Sequence, residues 1–277
     1  MERSTEPIAV GRTAEIYAWG DGRILKLLRP GFPPGLIEQE VVITRAIYQA
    51  GIPAPRIDDV TEVDGRPGIV YERIDGPALT QVIEQRPFHL AEHAALLARL
   101  HATIHTHTYP QAPEGSTRQK KILARQVQEA EVLPAEVRKS VLGLLERLPD
   151  RDTLCHNDFH PLNVLMSPHG PVIIDWESAS LGNLCADVAR SSLTMALARP
   201  PEGFPNFLAG VAAKLYLHLL DDAYLKAYRS FTHNPLADLR AWLTVQAAAK
   251  VQYEAPANQG MWLKVIHKGL LIEQQKS

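Results

Sequence analysis

The chain has 277 residues, 45% of them hydrophobic, which is enough apolar material for one large domain or two lobes. Its formal net charge is -2 and acidic and basic residues are interspersed, which excludes the basic surface typical of nucleic-acid and anionic-membrane binding, so neither partner is expected. The amino terminus lacks the hydrophobic segment of a signal peptide and no apolar run approaches a bilayer span, so we expect a soluble, cytoplasmic protein.

The first predicted elements are two strands joined by a glycine turn. Branched and aromatic side chains mark strands at 14–19 and 23–28, and Gly20-Asp21-Gly22 between them is typical of a hairpin. Gly11 lies in the loop before the first strand, and Lys26 lies within the second. The local pattern alone leaves open whether Lys26 is a solvated strand lysine or a functional one.

A helix is predicted over residues 36–50, because apolar residues recur at helical spacing after Pro33-Pro34-Gly35 and Gly51 provides a stop. Glu38 and Glu40 fall on its first turns, where the helix dipole favours acidic side chains.

A second hairpin follows, with strands at 52–63 and 68–74 around the turn Asp64-Gly65. The second strand ends at Asp75-Gly76-Pro77, a strong breaker. We therefore predict an amino-terminal lobe over residues 1–75 and a carboxy-terminal lobe over residues 76–277.

The carboxy-terminal lobe begins with helical patterns, predicted at 79–85, 89–107, 116–130 and 134–148. His101, His105 and His107 end the second of these. A zinc-protease motif needs a glutamate after its first histidine, but Ala102 stands there, so we assign these histidines structural roles.

A third hairpin is predicted between Pro161 and Trp176. It would bring Asp158, Asn163 and Asp175 to one rim, and their oxygens suit a hard cation and a hydroxyl nucleophile. Two other interpretations stay open. These residues could be ordinary polar turn residues, or His156, Asp158 and His160 could form a zinc or iron cluster.

After this hairpin we predict a loop over 178–185 and a helix over 188–197 with Asp187 as its N-cap. The remainder is predicted to be mostly helical, with breaks near 204–205, 234–235 and 255–256. Cys155 and Cys185 lie among apolar neighbours without Cys-x-x-Cys spacing, so both are predicted to be buried thiols.

The spacing His156-x-Asp158-x-x-x-x-Asn163, followed by Ile-Asp175, resembles the catalytic loop and metal-binding aspartate of the protein-kinase-like fold. Within that fold it is similar to the aminoglycoside phosphotransferase and choline kinase branch, in which glycine stands where this chain has Asn157. Asp187-Val-Ala-Arg also resembles a sequence of this branch, in which the aspartate anchors the catalytic loop.

The resemblance implies an α+β, bilobal protein-kinase-like fold. Its amino-terminal lobe would be a small antiparallel sheet with one helix, and its carboxy-terminal lobe would be larger and mainly helical, with a catalytic hairpin. It also implies an enzyme that moves the γ-phosphate of ATP to a hydroxyl of a small-molecule acceptor with the help of Mg²⁺. The expected partners are therefore a nucleoside triphosphate and a small alcohol.

The resemblance also implies roles for the hairpin residues. Asp158 would be the catalytic base, Asn163 and Asp175 would hold Mg²⁺, and His156 and Asp187 would support the catalytic loop. Glu177 could be an outer partner of the metal or an ordinary strand-end residue, and we rank it below Asp175.

In the amino-terminal lobe, the resemblance implies that Lys26 contacts the α- and β-phosphates and that Glu40 pairs with Lys26. The Gly11 loop would cover the phosphates. The backbone from Glu72 to Ile74 would be the hinge that binds the adenine.

The acceptor stays open. An aminoglycoside is a polycation that requires clustered carboxylates, whereas the charges after residue 200 are mixed. Alternatives are a metabolic kinase of choline, ethanolamine, homoserine or a sugar, and a catalytically silent nucleotide-binding module.

Overall fold

The computed structural model describes residues 3–107, 118–198 and 207–275. These residues form two compact units. The first contains residues 3–85 and 161–179, and the second contains residues 86–107, 118–160, 180–198 and 207–275. The predicted boundary after residue 75 stays a prediction, since the first unit extends to Gln85 and also includes the third hairpin.

The strands, in chain order, are β1 Ala9–Val10, β2 Ala14–Ala18, β3 Arg23–Leu28, β4 Ile57–Val63, β5 Arg66–Glu72, β6 Thr153–Cys155, β7 Val164–Ser167, β8 Gly170–Ile173 and β9 Ser180–Gly182. The helices are α1 Gly35–Gln49, α2 Leu79–Gln85, α3 Leu90–His105, α4 Gln119–Gln128, α5 Ala135–Arg147, α6 Leu184–Leu197, α7 Phe207–Thr232, α8 Leu239–Lys250 and α9 Pro256–Gln274.

The first unit is built on an antiparallel sheet with strand order β1-β2-β3-β5-β4. Asp64 and Gly65 both have positive φ, at 52° and 71°, as a two-residue hairpin turn between β4 and β5 requires. Side chains alternate across the sheet. On one face Leu28, Ile69 and Tyr71 pack with Ile37 and Val41 of α1, and the other face carries Tyr17, Leu25, Leu27 and Val70.

The third hairpin is confirmed as β7 and β8, and it is tied to the rest of the first unit by backbone hydrogen bonds. The Ile173 amide donates to the Pro53 carbonyl at 2.7 Å, and the Met166 amide donates to the Pro77 carbonyl at 2.8 Å. The buried Trp176 indole donates to the Ile173 carbonyl at 2.9 Å. These bonds fix both strands of the hairpin to the segments around Pro53 and Pro77.

The second unit is mainly helical. Helix α3 packs against α7, and α8 packs against both α6 and α9. Strands β6 and β9 form a short antiparallel sheet. Among the described residues, no helix combines the length and apolar character needed to cross a membrane.

Two predictions around α6 are wrong. The helix begins at Leu184 and its N-cap is Asn183, whose side chain accepts from the Cys185 amide at 2.8 Å. Asp187 lies inside the first turn and is fully buried. The predicted loop over 178–185 contains β9, whose pairing with the distant β6 leaves no local sequence pattern.

Other local predictions are confirmed. Cys155 and Cys185 are free and buried, and helices end before the predicted breaks at 234–235 and 255–256. The predicted break at 204–205 and the first residues of the helix predicted at 116–130 lie outside the described residues.

Two helical glycines of the second unit give opposite predictions for stability. A Cβ on Gly269 of α9 would overlap the Thr244 side chain, with the Thr244 Cβ only 2.9 Å away, whereas a Cβ on Gly143 of α5 meets nothing closer than 3.8 Å. We expect Gly269→Ala to lower the free energy of unfolding by about 1–3 kcal/mol. Gly143→Ala should raise it by about 0.5–1 kcal/mol. Urea unfolding of both variants measures this, and equal effects would contradict the packing of α9 against α8.

Candidate functional site

A buried lysine stands among three carboxylates in the first unit. The Lys26 Nζ of β3 lies 2.8 Å from Glu40 Oε1 of α1, 2.9 Å from Asp175 Oδ1 and 3.5 Å from Glu177 Oε2. The side chain of Lys26 is 10% exposed. The structure therefore joins the predicted lysine, helix glutamate and hairpin aspartate in one charged cluster.

The strand period explains why Lys26 points toward α1. Leu25 and Leu27 face one side of β3, so Lys26 faces the other, which carries α1 and Glu40. Tyr71, on the same face of β5, donates its hydroxyl to Glu40 Oε1 at 2.9 Å. Burial acts to lower the pKa of Lys26, but the charges of Glu40 and Asp175 raise it well above its usual value. Lys26 is therefore a permanent cation.

Asp175 and Asn163 lie beside each other at the end of the third hairpin. The Ile174 amide donates to the Asn163 carbonyl at 3.0 Å, which continues the register of β7 and β8. Asp175 has φ 64° and ψ 63°, a left-handed conformation that few residues other than glycine adopt. Such an outlier often marks a functional position. The Asn163 side chain is buried, whereas that of Asp175 is 46% exposed.

The donor set of this cluster fits a divalent cation. Three carboxylates surround one ammonium group, so the cluster carries excess negative charge. Thr13 Oγ1 donates to Glu177 Oε2 at 2.6 Å, which holds that carboxylate in place. Asn163 adds an amide oxygen to the Asp175 carboxylate, and both are ligand types that Mg²⁺ prefers.

The other nucleotide-binding candidates also lie in the first unit. The Gly11 amide donates to the Ala14 carbonyl at 2.8 Å and closes a tight turn between β1 and β2. Glu72 ends β5, its amide donates to the Arg56 carbonyl at 3.0 Å, and its side chain accepts from the Arg56 amide at 2.8 Å. Ile74 follows β5 and is half-buried.

In the second unit, Asp187 is a buried hydrogen-bond centre. It accepts from the amides of His156 at 2.6 Å and Asn157 at 2.7 Å. The Nε2 atoms of His101 and His105 lie 3.1 Å and 3.2 Å from its Oδ2. Although burial acts to raise the pKa of Asp187, these histidines hold it well below its usual value. Asp187 thus fixes the backbone that precedes Asp158.

The ring nitrogens of His101 and His105 that face away from Asp187 contact tyrosine hydroxyls. The Nδ1 atoms of His101 and His105 lie 2.6 Å and 2.7 Å from the hydroxyls of Tyr224 and Tyr228. Burial lowers the pKa of His101 to about 4, so this ring is neutral at physiological pH. Among the described residues, the group with metal-ligand spacing is His101, His105 and Asp187 rather than His156, Asp158 and His160. Hydrogen bonds already occupy both ring nitrogens of His105, the Nδ1 of His101 and both oxygens of Asp187.

Asp158 itself is surrounded by basic groups. Arg190 Nη2 donates to Asp158 Oδ1 at 3.1 Å, and His160 Nε2 lies 3.6 Å from Asp158 Oδ2. The Asp158 amide donates to the His156 ring at 3.3 Å. Burial acts to raise the pKa of Asp158, but His160 and Arg190 hold it well below its usual range. The carboxylate therefore stays ionised at physiological pH.

Asn157, which stands where the similar phosphotransferases have glycine, links several elements of the second unit. Its φ of 61° is left-handed, which asparagine tolerates better than most residues. Its Oδ1 accepts from Gln119 Nε2 at 2.6 Å, and its Nδ2 donates to Ser180 Oγ at 2.8 Å. Gln119 Oε1 in turn accepts from the Asn183 amide at 2.9 Å. Thus α4, β9 and the start of α6 all support the loop that carries Asp158.

Sequence reasoning missed several of these residues. Tyr71, Gln119 and Arg190 were not predicted, and the contact of Glu177 with Lys26 was not foreseen. Arg190 had a usable signal, because it stands one turn after Asp187 in the same helix. Gln119 and Tyr71 had none, since their partners are distant in sequence.

Solved kinases share this architecture. Amicoumacin kinase hAmiN in complex with AMP-PNP, Ca²⁺ and Ami has a TM-score of 0.63 at 15% identity, covering 95% of this chain and 86% of that one. Choline kinase LicA from Streptococcus pneumoniae has a TM-score of 0.62 at 16% identity, covering 98% of this chain and 94% of that one. An aminoglycoside-3'-phosphotransferase of type VIII has a TM-score of 0.61 at 19% identity, covering 91% of this chain and 93% of that one. The chain thus has the predicted α+β protein-kinase-like fold.

The sequence then gives the family. Residues 4–231 match the phosphotransferase enzyme family, APH, and the chain belongs to it. A curated relative, acyl-CoA dehydrogenase family member 10 of Mus musculus, is 28% identical over 191 residues, which are 61% of this chain. The match spans only 17% of that protein's length.

The ion pair of Lys26 gives a prediction for stability. Lys26→Met leaves the buried Glu40 without its cation, so we expect the free energy of unfolding to fall by roughly 3 kcal/mol. The double variant Lys26→Met/Glu40→Gln should recover a large part of this loss, because the unpaired charge is removed. Urea unfolding measures both, with Lys139→Gln on the exposed face of α5 as a control. A single variant as stable as the wild type would contradict the pairing.

The Asn157–Gln119 contact gives a second prediction. Asn157→Gly keeps the left-handed backbone but removes the side-chain bonds, and Gln119→Ala removes the same contact from its other end. We expect each to destabilise the protein by about 1 kcal/mol. The double variant should lose less than the sum of the two, with a coupling of roughly 0.5–1 kcal/mol. A double-mutant cycle in urea measures this coupling, and strict additivity would show that the two side chains do not support each other.

Proposed function

We propose that this phosphotransferase moves the γ-phosphoryl group of ATP to a hydroxyl group of a small molecule, in the cytoplasm. The observation that carries the proposal is the cluster in which Lys26 is ion-paired with Glu40 and Asp175. A strand lysine, a helix glutamate and a metal-binding aspartate are parts that kinases of this fold use to position a nucleotide.

Lys26 would contact the α- and β-phosphates, with Glu40 holding its ammonium group in position. The Gly11 turn would cover the phosphates. Ile74 would contact the base through its backbone, because the amides of Glu72 and Arg73 already donate to the Arg56 and Gly22 carbonyls.

Asn163 and Asp175 would hold Mg²⁺. Bound there, Mg²⁺ neutralises charge on the nucleotide phosphates. The excess negative charge around Lys26 and the oxygen donors of the hairpin support this assignment. Glu177, which also contacts Lys26, would be an outer partner that holds the ammonium group and the carboxylates in place.

Asp158 would accept a hydrogen bond from the acceptor hydroxyl and orient its oxygen for in-line attack. The oxygen forms a bond to the γ-phosphorus, the bond from that phosphorus to the bridging oxygen breaks, and ADP leaves with the electron pair. The hydroxyl proton passes to Asp158 and then to solvent. Because Arg190 and His160 keep the carboxylate ionised, Asp158 acts mainly by orientation. His156 and Asp187 would hold the loop that carries it.

The test is phosphoryl transfer by the purified chain, followed both as ADP release and as label moved from γ-labelled ATP to the acceptor. Asp158→Asn should lower kcat by roughly 10²–10⁴-fold, since only the orienting carboxylate is removed, while ATP binding is retained. Lys26→Met should instead weaken ATP binding. If no acceptor stimulated ATP turnover by the wild type although ATP bound, a catalytically silent nucleotide-binding module would replace this proposal.

A further inference from the structure

The three carboxylates around Lys26 differ in how closely they approach its ammonium group. Glu40 and Asp175 each accept a hydrogen bond from Nζ, at 2.8 and 2.9 Å. Glu177 Oε2 lies 3.5 Å from the same atom, which is close enough for attraction between the charges but long for a hydrogen bond. An ammonium group has three N–H donors, and Glu40 and Asp175 use two of them.

Thr13 holds Glu177 at this longer distance. Its Oγ1 donates to Glu177 Oε2 at 2.6 Å, so the oxygen that lies nearest to Lys26 is already bound. Thr13 is 8% exposed, and the side chain of Glu177 is 17% exposed. The bond is therefore largely shielded from water, where a hydrogen bond to a charged group is stronger than it is at the surface.

The backbone on each side of this bond is held by further hydrogen bonds. The Thr13 carbonyl accepts from the Arg29 amide at 2.8 Å. Glu177 follows Trp176, whose buried indole donates to the Ile173 carbonyl at 2.9 Å. With both backbones held, the side-chain bond to Thr13 sets where the Glu177 carboxylate lies.

A nucleotide phosphate needs a donor on Lys26, so a third carboxylate at hydrogen-bond distance would compete with it. We infer that Thr13 is a positioning residue, whose hydroxyl keeps Glu177 from taking the third N–H of Lys26 and leaves that donor for a phosphate oxygen of ATP. Without the hydroxyl, the Glu177 carboxylate would move toward the ammonium group, because opposite charges attract more strongly where water is excluded. The inference rests on the proposed function, in which Lys26 contacts the α- and β-phosphates.

The test is binding of ATP with Mg²⁺ to the full chain, measured by isothermal titration calorimetry. Thr13→Val keeps the shape of the side chain but removes the hydroxyl, and we expect it to raise Kd for ATP by about tenfold. Thr13→Ser retains a hydroxyl and should restore the affinity. Thr13→Ala is a second variant without the hydroxyl, and thermal unfolding shows which variants are folded.

A second substitution separates positioning from a role in folding alone. In Thr13→Val/Glu177→Gln the side chain that competes for Lys26 has no charge, so most of the lost affinity for ATP should return. A role in folding alone predicts no such recovery, because Glu177→Gln restores no packing around residue 13. Thr61→Val, on β4, is the matched control and should keep the wild-type Kd.

Several results would overturn the inference while leaving the phosphotransferase proposal intact. One is that folded Thr13→Val and Thr13→Ala bind ATP as tightly as the wild type. Another is that Thr13→Ser or the double variant stays as weak as Thr13→Val, since the hydroxyl would then not act through Glu177. Unfolding of both variants that lack the hydroxyl would show that Thr13 serves the fold instead. Failure of the wild type to bind ATP would reject the proposed function itself.

Discussion

The first unit depends on one buried charge. An ammonium group removed from water is costly unless carboxylates stand close to it, and Lys26 is 8% exposed. The unit meets this requirement with a carboxylate from α1 and another from the end of the third hairpin. Sheet, helix and hairpin are thus held to one arrangement by the need to surround Lys26. A pair of this kind adds little to stability over an apolar core, so its presence points to function.

The second unit also surrounds one buried charge with polar partners, and in this unit the charge is negative. Asp187 is a fully buried anion, and two amides and two imidazoles surround it. Because the amides belong to the residues just before Asp158, the cost of burying Asp187 is offset by bonds that also fix the loop. Asn157 adds side-chain bonds to α4 and β9, which a glycine at this position would not provide.

Lys26 of the first unit and Asp158 of the second unit have different electrostatic surroundings. Around Lys26 carboxylates outnumber the cation, whereas Asp158 lies beside the basic groups of His160 and Arg190. A carboxylate in such surroundings is a weak base but a dependable hydrogen-bond acceptor. Catalysis by this chain would therefore rely on positioning the hydroxyl, in keeping with the loose transition state of phosphoryl transfer.

The sequence by itself determined the local elements and the motif. Strand periodicity and glycine turns predicted the three hairpins. The spacing from His156 to Asp175 carried the resemblance to the family, and that resemblance implied the pairing of Lys26 with Glu40. Only the tertiary structure decided that α6 begins at Leu184, that Ser180–Gly182 is a strand, and that Gln119 supports Asn157. The physical reason is the distance along the sequence over which each kind of interaction acts. Periodicity and turn chemistry act within a few residues, whereas these pairings join segments far apart in the chain, whose contacts depend on packing that no local pattern encodes.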